Sequence, residues 1–147
     1  MKFKVNAVIV TCNRCDLLKQ SLKSLQEQVY ALNKIIVVNN ASTDGTKSFL
    51  DSIRDNQIII LQREVNEGGA GGFYHGIKKA YEIGCDFVWM MDDDTIASPE
   101  ALKNLMEGYA ILDGRNIGFL ASNVFYKDGA PCFMNICQTD YVWNEFA

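Results

Sequence analysis

Basic runs and long apolar runs are both missing from this chain. No Lys/Arg-rich run interrupts its 147 residues, and the formal net charge is −4, so it carries no electrostatic footprint for nucleic acid. The apolar segment after Met1-Lys2-Phe3-Lys4 ends at Val10, too short to span a bilayer and without a signal-peptide cleavage pattern. The expected location is cytoplasmic or peripheral at the inner membrane face. Histidine occurs once, as His75, and the cysteines are odd in number: Cys12, Cys15, Cys85, Cys132 and Cys137. Cys12-Asn13-Arg14-Cys15 has C-x-x-C spacing and admits a redox or zinc role. Zinc needs further nitrogen or sulfur ligands, and Cys132 and Cys137 fit no common ribbon spacing, so free thiols are the favoured reading. There is no internal repeat or low-complexity tract, and no Gly-Lys-Ser/Thr closes a phosphate loop. A dinucleotide fingerprint would follow the first strand, where this chain has Thr11-Cys12-Asn13-Arg14.

What is present is ordinary for one globular domain, with 48% hydrophobic and 22% charged residues. Strand and helix patterns alternate. Val5 to Val10 is an apolar, β-branched run, and Asp16 to Gln28 places Leu17, Leu18, Leu22 and Leu25 at helical spacing. Lys34 to Val38 predicts a second strand, Thr43 to Ile53 a helix, and Gln57 to Leu61 a third strand. A glycine-rich turn at Gly68 and Gly69 leads into a helix that stops near Gly84. Phe87 to Met91 predicts a fourth strand. Ser98-Pro99-Glu100 reads as cap, first helical position and first-turn acid of a helix to about Leu112. Ile117 to Ala121 predicts a fifth strand, and Asn123 to Ala147 an aromatic hairpin region. Such βα units imply a doubly wound, mostly parallel sheet in a three-layer α/β/α fold. The expected organisation is a ligand-binding α/β domain over 1–122, with 123–147 opening a second region that reads as truncated.

The most informative stretch is Met90-Met91-Asp92-Asp93-Asp94-Thr95. Three carboxylates follow a buried-strand pattern, and in open α/β sheets ligands bind at that end of the strands. Crowded like charges there call for a hard divalent cation with oxygen ligands. A cation with one or two carboxylates completes its shell with water and a substrate phosphate. Parallel strands bring three more segments to the same rim: Thr11 to Arg14, Asn39 to Asp44, and Asn66 to Gly72. Glycines at a helix start let a ligand approach the backbone, and the helix dipole favours an anion; close helix packing is the competing reading. Asn39, Asn40 and Asp44 offer hydrogen bonds to a base and ribose, or an Asx turn with helix capping. Arg14 is either a phosphate partner or a solvated first-turn residue, and His75 and Trp89 read as packing residues.

In order, the blocks are Val8-Ile9-Val10-Thr11-Cys12-Asn13-Arg14, Ile36-Val37-Val38-Asn39-Asn40-Ala41-Ser42-Thr43-Asp44-Gly45, Asn66-Glu67-Gly68-Gly69-Ala70-Gly71-Gly72-Phe73, and Trp89-Met90-Met91-Asp92-Asp93-Asp94-Thr95. Together they resemble an inverting family 2 glycosyltransferase with the GT-A fold, closest to the galactofuranosyl- and rhamnosyltransferase-like branch. Each block alone is common; four in this order and spacing are specific. The resemblance implies transfer of a sugar from a UDP- or dTDP-linked donor to a glycan or lipid-linked acceptor hydroxyl. It implies donor contacts at Thr11, Asn13, Arg14, Asn40, Asp44, Gly69, Gly71, Gly72 and Asp93, with Asp92 and Asp94 on Mn²⁺ or Mg²⁺. Many members carry an acid where Asn40 stands. The family's general base lies well beyond the metal motif, and Asp140 and Glu145 sit in no recognisable version of it, so no catalytic base is identified. The implied content is the donor-binding half, and a homodimer would cover the aromatic tail. The alternatives are a non-catalytic nucleotide-sugar-binding module, and a haloacid dehalogenase-like phosphotransferase using Asp92-Asp93-Asp94-Thr95-Ile96.

Overall fold

The computed structural model describes residues 2–112 and 117–132. They fall into two compact units, one ending at Lys103 and one beginning at Asn104. In the first, β1 (Val5–Thr11), β2 (Lys34–Asn40), β3 (Ile58–Arg63) and β4 (Phe87–Asp92) form one sheet of order β3-β2-β1-β4. Every pairing is parallel, with Val8 opposite Ile36 on one side and Met90 on the other. The connecting helices are α1 (Cys15–Gln26), α2 (Thr46–Ser52) and α3 (Gly68–Ile83); α4 (Ala101–Ile111) follows β4. The fold class is therefore the expected α/β one.

The strand order fixes where a ligand can bind. The chain winds outward from β1 to β3, then crosses back to lay β4 against the free edge of β1. Right-handed crossovers place α1 and α2 on one face and α3 on the other. The winding reverses between β1 and β4, and the loops leaving those two strands diverge to open a crevice.

Side-chain alternation along the strands supplies both faces. Val8, Val10, Ile36 and Val38 pack with Ala80 of α3 in one buried cluster. Val5, Ala7, Ile9, Ile35 and Val37 alternate to the opposite face and are also buried. Helix α1 buries Leu18, Leu22 and Leu25, spaced four and three apart, and leaves Leu17 exposed. Full burial of each such aliphatic side chain is worth about 1.5–3 kcal/mol.

Helix α3 lies unusually close to the sheet. A Cβ at Gly72 would overlap the side chain of Val10, and one at Gly76 would overlap Val8. The i, i+4 pair of glycines thus forms a bare strip on which the β1 valines seat. Asn6 holds the far end, donating from Nδ2 to the Ala80 carbonyl at 3.1 Å while its Oδ1 accepts from Asn33 at 2.8 Å.

Several local expectations are corrected. The helix begins at Gly68 itself, so the glycines are its first turns and not a turn before it. Helix α4 begins at Ala101, and the cap acting on it comes from Gln28, whose Oε1 accepts from Leu102 N at 3.1 Å while its Nε2 donates to the Ser98 carbonyl. Residues 117–121 form no strand: Phe119 and Leu120 are exposed and the segment pairs with no described strand. An apolar run becomes a strand only where a neighbouring edge takes up its backbone groups. Of the hairpin region, the second unit shows one antiparallel bridge, Phe125 to Pro131, closed by a turn through Gly129 at φ +86°. Residues 133–147, with Cys137, Asp140 and Glu145, lie outside the described residues. Among those described, no helix is long and apolar enough to cross a membrane.

Candidate active site

At the carboxyl ends of β1 and β4, a cleft of about 260 Å³ opens between Thr11, Arg14, Asn40, Gly69, Asp92 and Asp93, with Val10, Cys12, Asn66 and Gly68 completing its wall. It lies at the switch point that the strand order defines.

One wall is a chain of charged and polar contacts. Thr11 donates from Oγ1 to Asp93 Oδ2 at 2.7 Å. Arg14 donates from Nη1 to Asp93 Oδ1 at 3.2 Å and to Asp94 Oδ2 at 3.1 Å. Asp93 is 3% exposed, so both its oxygens are satisfied by protein in a dry setting. These short charge-assisted bonds fix the acidic corner in one geometry. Asp92 differs: among the described residues nothing donates to its carboxylate. Partial burial first, then repulsion from Asp94 and Asp93, push its carboxyl above the usual carboxylate range, while Arg14 pulls it down. In return, Asp93 above all and then Asp94 hold the Arg14 guanidinium above its ordinary value.

The opposite wall is the corner between β3 and α3, and Asn40 builds it. Its Nδ2 donates to Asn66 Oδ1 at 2.8 Å and to the Gly68 carbonyl at 2.9 Å, and its Oδ1 accepts from Glu67 N at 3.2 Å. Asn66 Oδ1 also accepts from Gly68 N at 2.8 Å, closing an Asx turn. Gly68 sits at φ +71°, a conformation that favours glycine, and Gly69 has open space where a side chain would stand. The corner thus presents bare backbone to the cleft. Behind it, Arg63 and His75 both reach Glu67 Oε2, at 2.8 and 2.9 Å, and the Arg63 bond chiefly lowers the Glu67 carboxyl below its usual range.

The expected site residues divide accordingly. The structure brings Thr11, Arg14, Asn40, Gly69, Asp92 and Asp93 to the cleft, and Asp94 adjoins it through Arg14. It does not bring Asn13, Asp44, Gly71 or Gly72 to it. Asn13, at φ 57°, accepts through Oδ1 from Thr43 N at 2.6 Å and Asp44 N at 3.2 Å, tying two loops together. Asp44 caps α2 by accepting from Thr46 N at 2.9 Å, and accepts from Cys15 N at 3.4 Å. Gly72 is buried against Val10, and a Cβ at Gly71 would meet the Glu67 side chain. Asn39 is likewise spent on Gln62 and the Ser42 amide. Four residues of the cleft wall were not among those expected: Asn66, Cys12, Val10 and Gly68, the side chains of the first two meeting at 3.4 Å. An Asn two residues before a positive-φ glycine was the signal for the first. Among the described residues, Cys12, Cys15 and Cys85 form no disulfide.

Divalent-cation chemistry fits this donor set. Among the described residues no group of three metal-ligating side chains occurs, so these residues would offer an ion no more than two carboxylates. Asp92, with no donor among the described residues, and Asp94, half exposed, would offer hard oxygens amid an excess of negative charge, and the open cleft leaves room for phosphate and water.

Comparison with known proteins places this geometry. The chain is 33% identical over 154 residues to GalNAc(5)-diNAcBac-PP-undecaprenol beta-1,3-glucosyltransferase of Campylobacter jejuni, covering 98% of this chain and 49% of that protein. It is 34% identical over 90 residues to galactofuranosyltransferase GlfT1 of Mycolicibacterium smegmatis, covering 61% of this chain and 30% of that one. The chain thus spans about half, or less, of the length of these relatives. Among solved structures, TarS 1-349 of S. aureus superposes with TM-score 0.64 at 23% identity, over 83% of this chain and 42% of that one. Mannosyltransferase PcManGT from Pyrobaculum calidifontis, solved with GDP-Man and Mn²⁺, superposes with TM-score 0.68 at 22% identity, over 86% and 36%. Those two likenesses show the shared fold. A family model described as Glycosyl transferase family 2 matches residues 7–129, which take in the cleft from Val10 to Asp94, and the chain belongs to that family.

Proposed function

We propose that this chain binds the donor for transfer of a sugar from a nucleoside diphosphate to an acceptor glycan hydroxyl, with inversion and with a divalent cation. The carrying observation is one cleft that joins the β4 carboxylates to the bare backbone at the start of α3. A diphosphate has a place between them. Gly68 and Gly69 let its oxygens approach the N-terminus of α3, where amides and dipole favour negative charge. Arg14 lies across the cleft as a fork for phosphate oxygens.

Asp92 and Asp94 would hold Mn²⁺ or Mg²⁺. When bound, that ion supplies Lewis-acid stabilisation of the departing diphosphate. Asp93 works behind them, orienting Thr11 and Arg14. Asn40 keeps the glycine corner in shape, and base contact then falls to the Thr11–Cys12 side and to Asn66. Inversion also needs a general base for the acceptor hydroxyl. The described cleft holds no carboxylates beyond the β4 aspartates, so we place that base outside it.

Relatives support the donor class. TarS was solved with UDP-GlcNAc and PcManGT with GDP-Man, both nucleoside diphosphate sugars. The Campylobacter relative is named for a lipid-linked acceptor, which supports an acceptor of that kind met at a membrane face. The phosphotransferase alternative is not favoured, since the family match and the named relatives are glycosyltransferases.

Calorimetric titration with UDP, dTDP and GDP, with and without Mn²⁺, tests the proposal. Metal-dependent binding of one diphosphate, abolished by Asp94→Ala, is expected. Equal affinity in chelator would contradict it, and donor binding without transfer or hydrolysis by the complete protein would favour the non-catalytic module.

A further inference from the structure

Arg14 occupies a peculiar place for a phosphate-binding residue. A single nitrogen, Nη1, lies 3.2 Å from Asp93 Oδ1 and 3.1 Å from Asp94 Oδ2. One of those partners is fixed and the other is not. Asp93 is buried and pinned on its second oxygen by Thr11, whereas the Asp94 side chain is 52% exposed. The Arg14 side chain is itself 51% exposed, and among the described residues its Nε and Nη2 take no partner. It can therefore swing off Asp94 and turn Nε and Nη2 to another anion while Nη1 keeps its bond to Asp93. Three carboxylates and one guanidinium leave the rim with surplus negative charge, which Asp92 carries without a donor.

We infer that Arg14 is the site's resident counter-ion: it holds Asp94 while the cleft is empty and releases it to a divalent cation when its guanidinium moves to the diphosphate. The inference rests on the donor-site reading above. Its consequence is a coupling between two ligands. A cation arriving alone must displace the guanidinium from Asp94 and leave it with Asp93 as its one anionic partner among the described residues. A cation arriving with a diphosphate meets no such cost, because the guanidinium gains phosphate oxygens as it loses the carboxylate. Arg14 thus opposes the metal alone and favours the metal–diphosphate pair, and by linkage each ligand raises the affinity of the other by the same factor. An arginine that merely braced the loop would weaken both events when removed.

The test uses the full 147-residue chain and its Arg14→Gln variant. Binding of Mn²⁺ alone is followed by the electron paramagnetic resonance of free Mn²⁺, and binding of UDP in saturating Mn²⁺ by calorimetry. Loss of one charge-assisted contact predicts Mn²⁺ alone bound roughly tenfold tighter by the variant, and UDP with Mn²⁺ bound roughly tenfold or more weaker. A variant whose affinity for Mn²⁺ alone is unchanged or lower overturns the role given to Arg14. A wild-type chain that binds no nucleoside diphosphate in Mn²⁺ overturns the donor-site reading instead, and the sign of the effect on Mn²⁺ alone still judges Arg14. Should the variant fail to fold, guanidinium ¹⁵N signals of the wild-type chain decide. Arg14 resonances that move on adding Mg²⁺ and UDP together support the exchange; resonances that stay fixed under both overturn it.

Discussion

Thr11→Val isolates the contact on which the acidic corner stands. The substitution keeps the β-branched shape that β1 needs and removes one hydroxyl. That hydroxyl donates to Asp93 Oδ2 at 2.7 Å, and both residues are at least 97% buried, with exposures of 1% and 3%. Valine leaves a buried carboxylate oxygen without its donor, and water does not easily reach it. Hydrogen bonds to charged groups contribute roughly 1.5–3 kcal/mol, so a stability loss of about 2 kcal/mol is expected. For a chain of this size that corresponds to a fall in Tm of roughly 5–8 °C. Urea unfolding followed by circular dichroism measures it. A double-mutant cycle with Asp93→Asn gives the sharper reading, because the two changes act on one bond and should couple by roughly 1–2 kcal/mol. The same valine should also weaken diphosphate binding, since Asp93 orients Arg14. A Thr11→Val chain within about 0.3 kcal/mol of wild type, additive with Asp93→Asn, would refute the view that this bond organises the rim.

Three further outcomes are expected. Gly72→Ala and Gly76→Ala each drive a methyl into a β1 valine and should cost roughly 1–3 kcal/mol, whereas Gly69→Ala meets open space, should leave stability equal or higher, and should reduce diphosphate affinity; thermal unfolding and calorimetry of the three variants separate packing from ligand approach. Asp92→Asn should raise Tm at pH 7, because the folded carboxyl titrates above its unfolded value: ionising it penalises the fold above that raised value, and the penalty fades as pH falls toward the ordinary carboxylate range, so the gain should vanish in acid while metal-dependent binding is lost at every pH. Asn40→Asp should destabilise by at least about 2 kcal/mol, since an acid cannot donate to Asn66 Oδ1 and the Gly68 carbonyl; an unchanged urea midpoint would show that the corner does not need the amide.

Which parts of this were legible in the sequence follows from the physics of each signal. Periodicity survives translation into structure, so the β-branched run at Val5 and the leucine spacing of α1 appear as elements within a residue or two of expectation. The carboxylates after Met91 lie at a strand end for the same reason, and parallel winding does bring Thr11 and Gly69 to them. The glycines mislead because four of them in five residues look alike in sequence. Only the helical phase separates Gly69, open to the cleft, from Gly72, pressed on Val10, and the Gly72–Gly76 spacing was the available clue. Polar residues at the rim mislead for another reason. Asn13 and Asn40 have the chemistry to meet a ligand, but distant backbone amides claim them first, and such long-range claims leave no local pattern; Asp44 instead makes the local cap that its position before Thr46 allowed. The strand expected at Ile117 shows the limit of apolar runs, which need an edge to pair with.

Paramagnetic broadening by Mn²⁺ tests the central claim most directly. In ¹⁵N-labelled chain with UDP present, substoichiometric Mn²⁺ should broaden the amide signals of Thr11, Gly69 and Thr95 first. Lys4 and Asp86, at the opposite ends of β1 and β4 about 20 Å away by strand rise, should broaden last. Broadening centred anywhere other than the Asp92–Asp94 rim, or unchanged by Asp94→Ala, would contradict a cation site at the junction of β1 and β4.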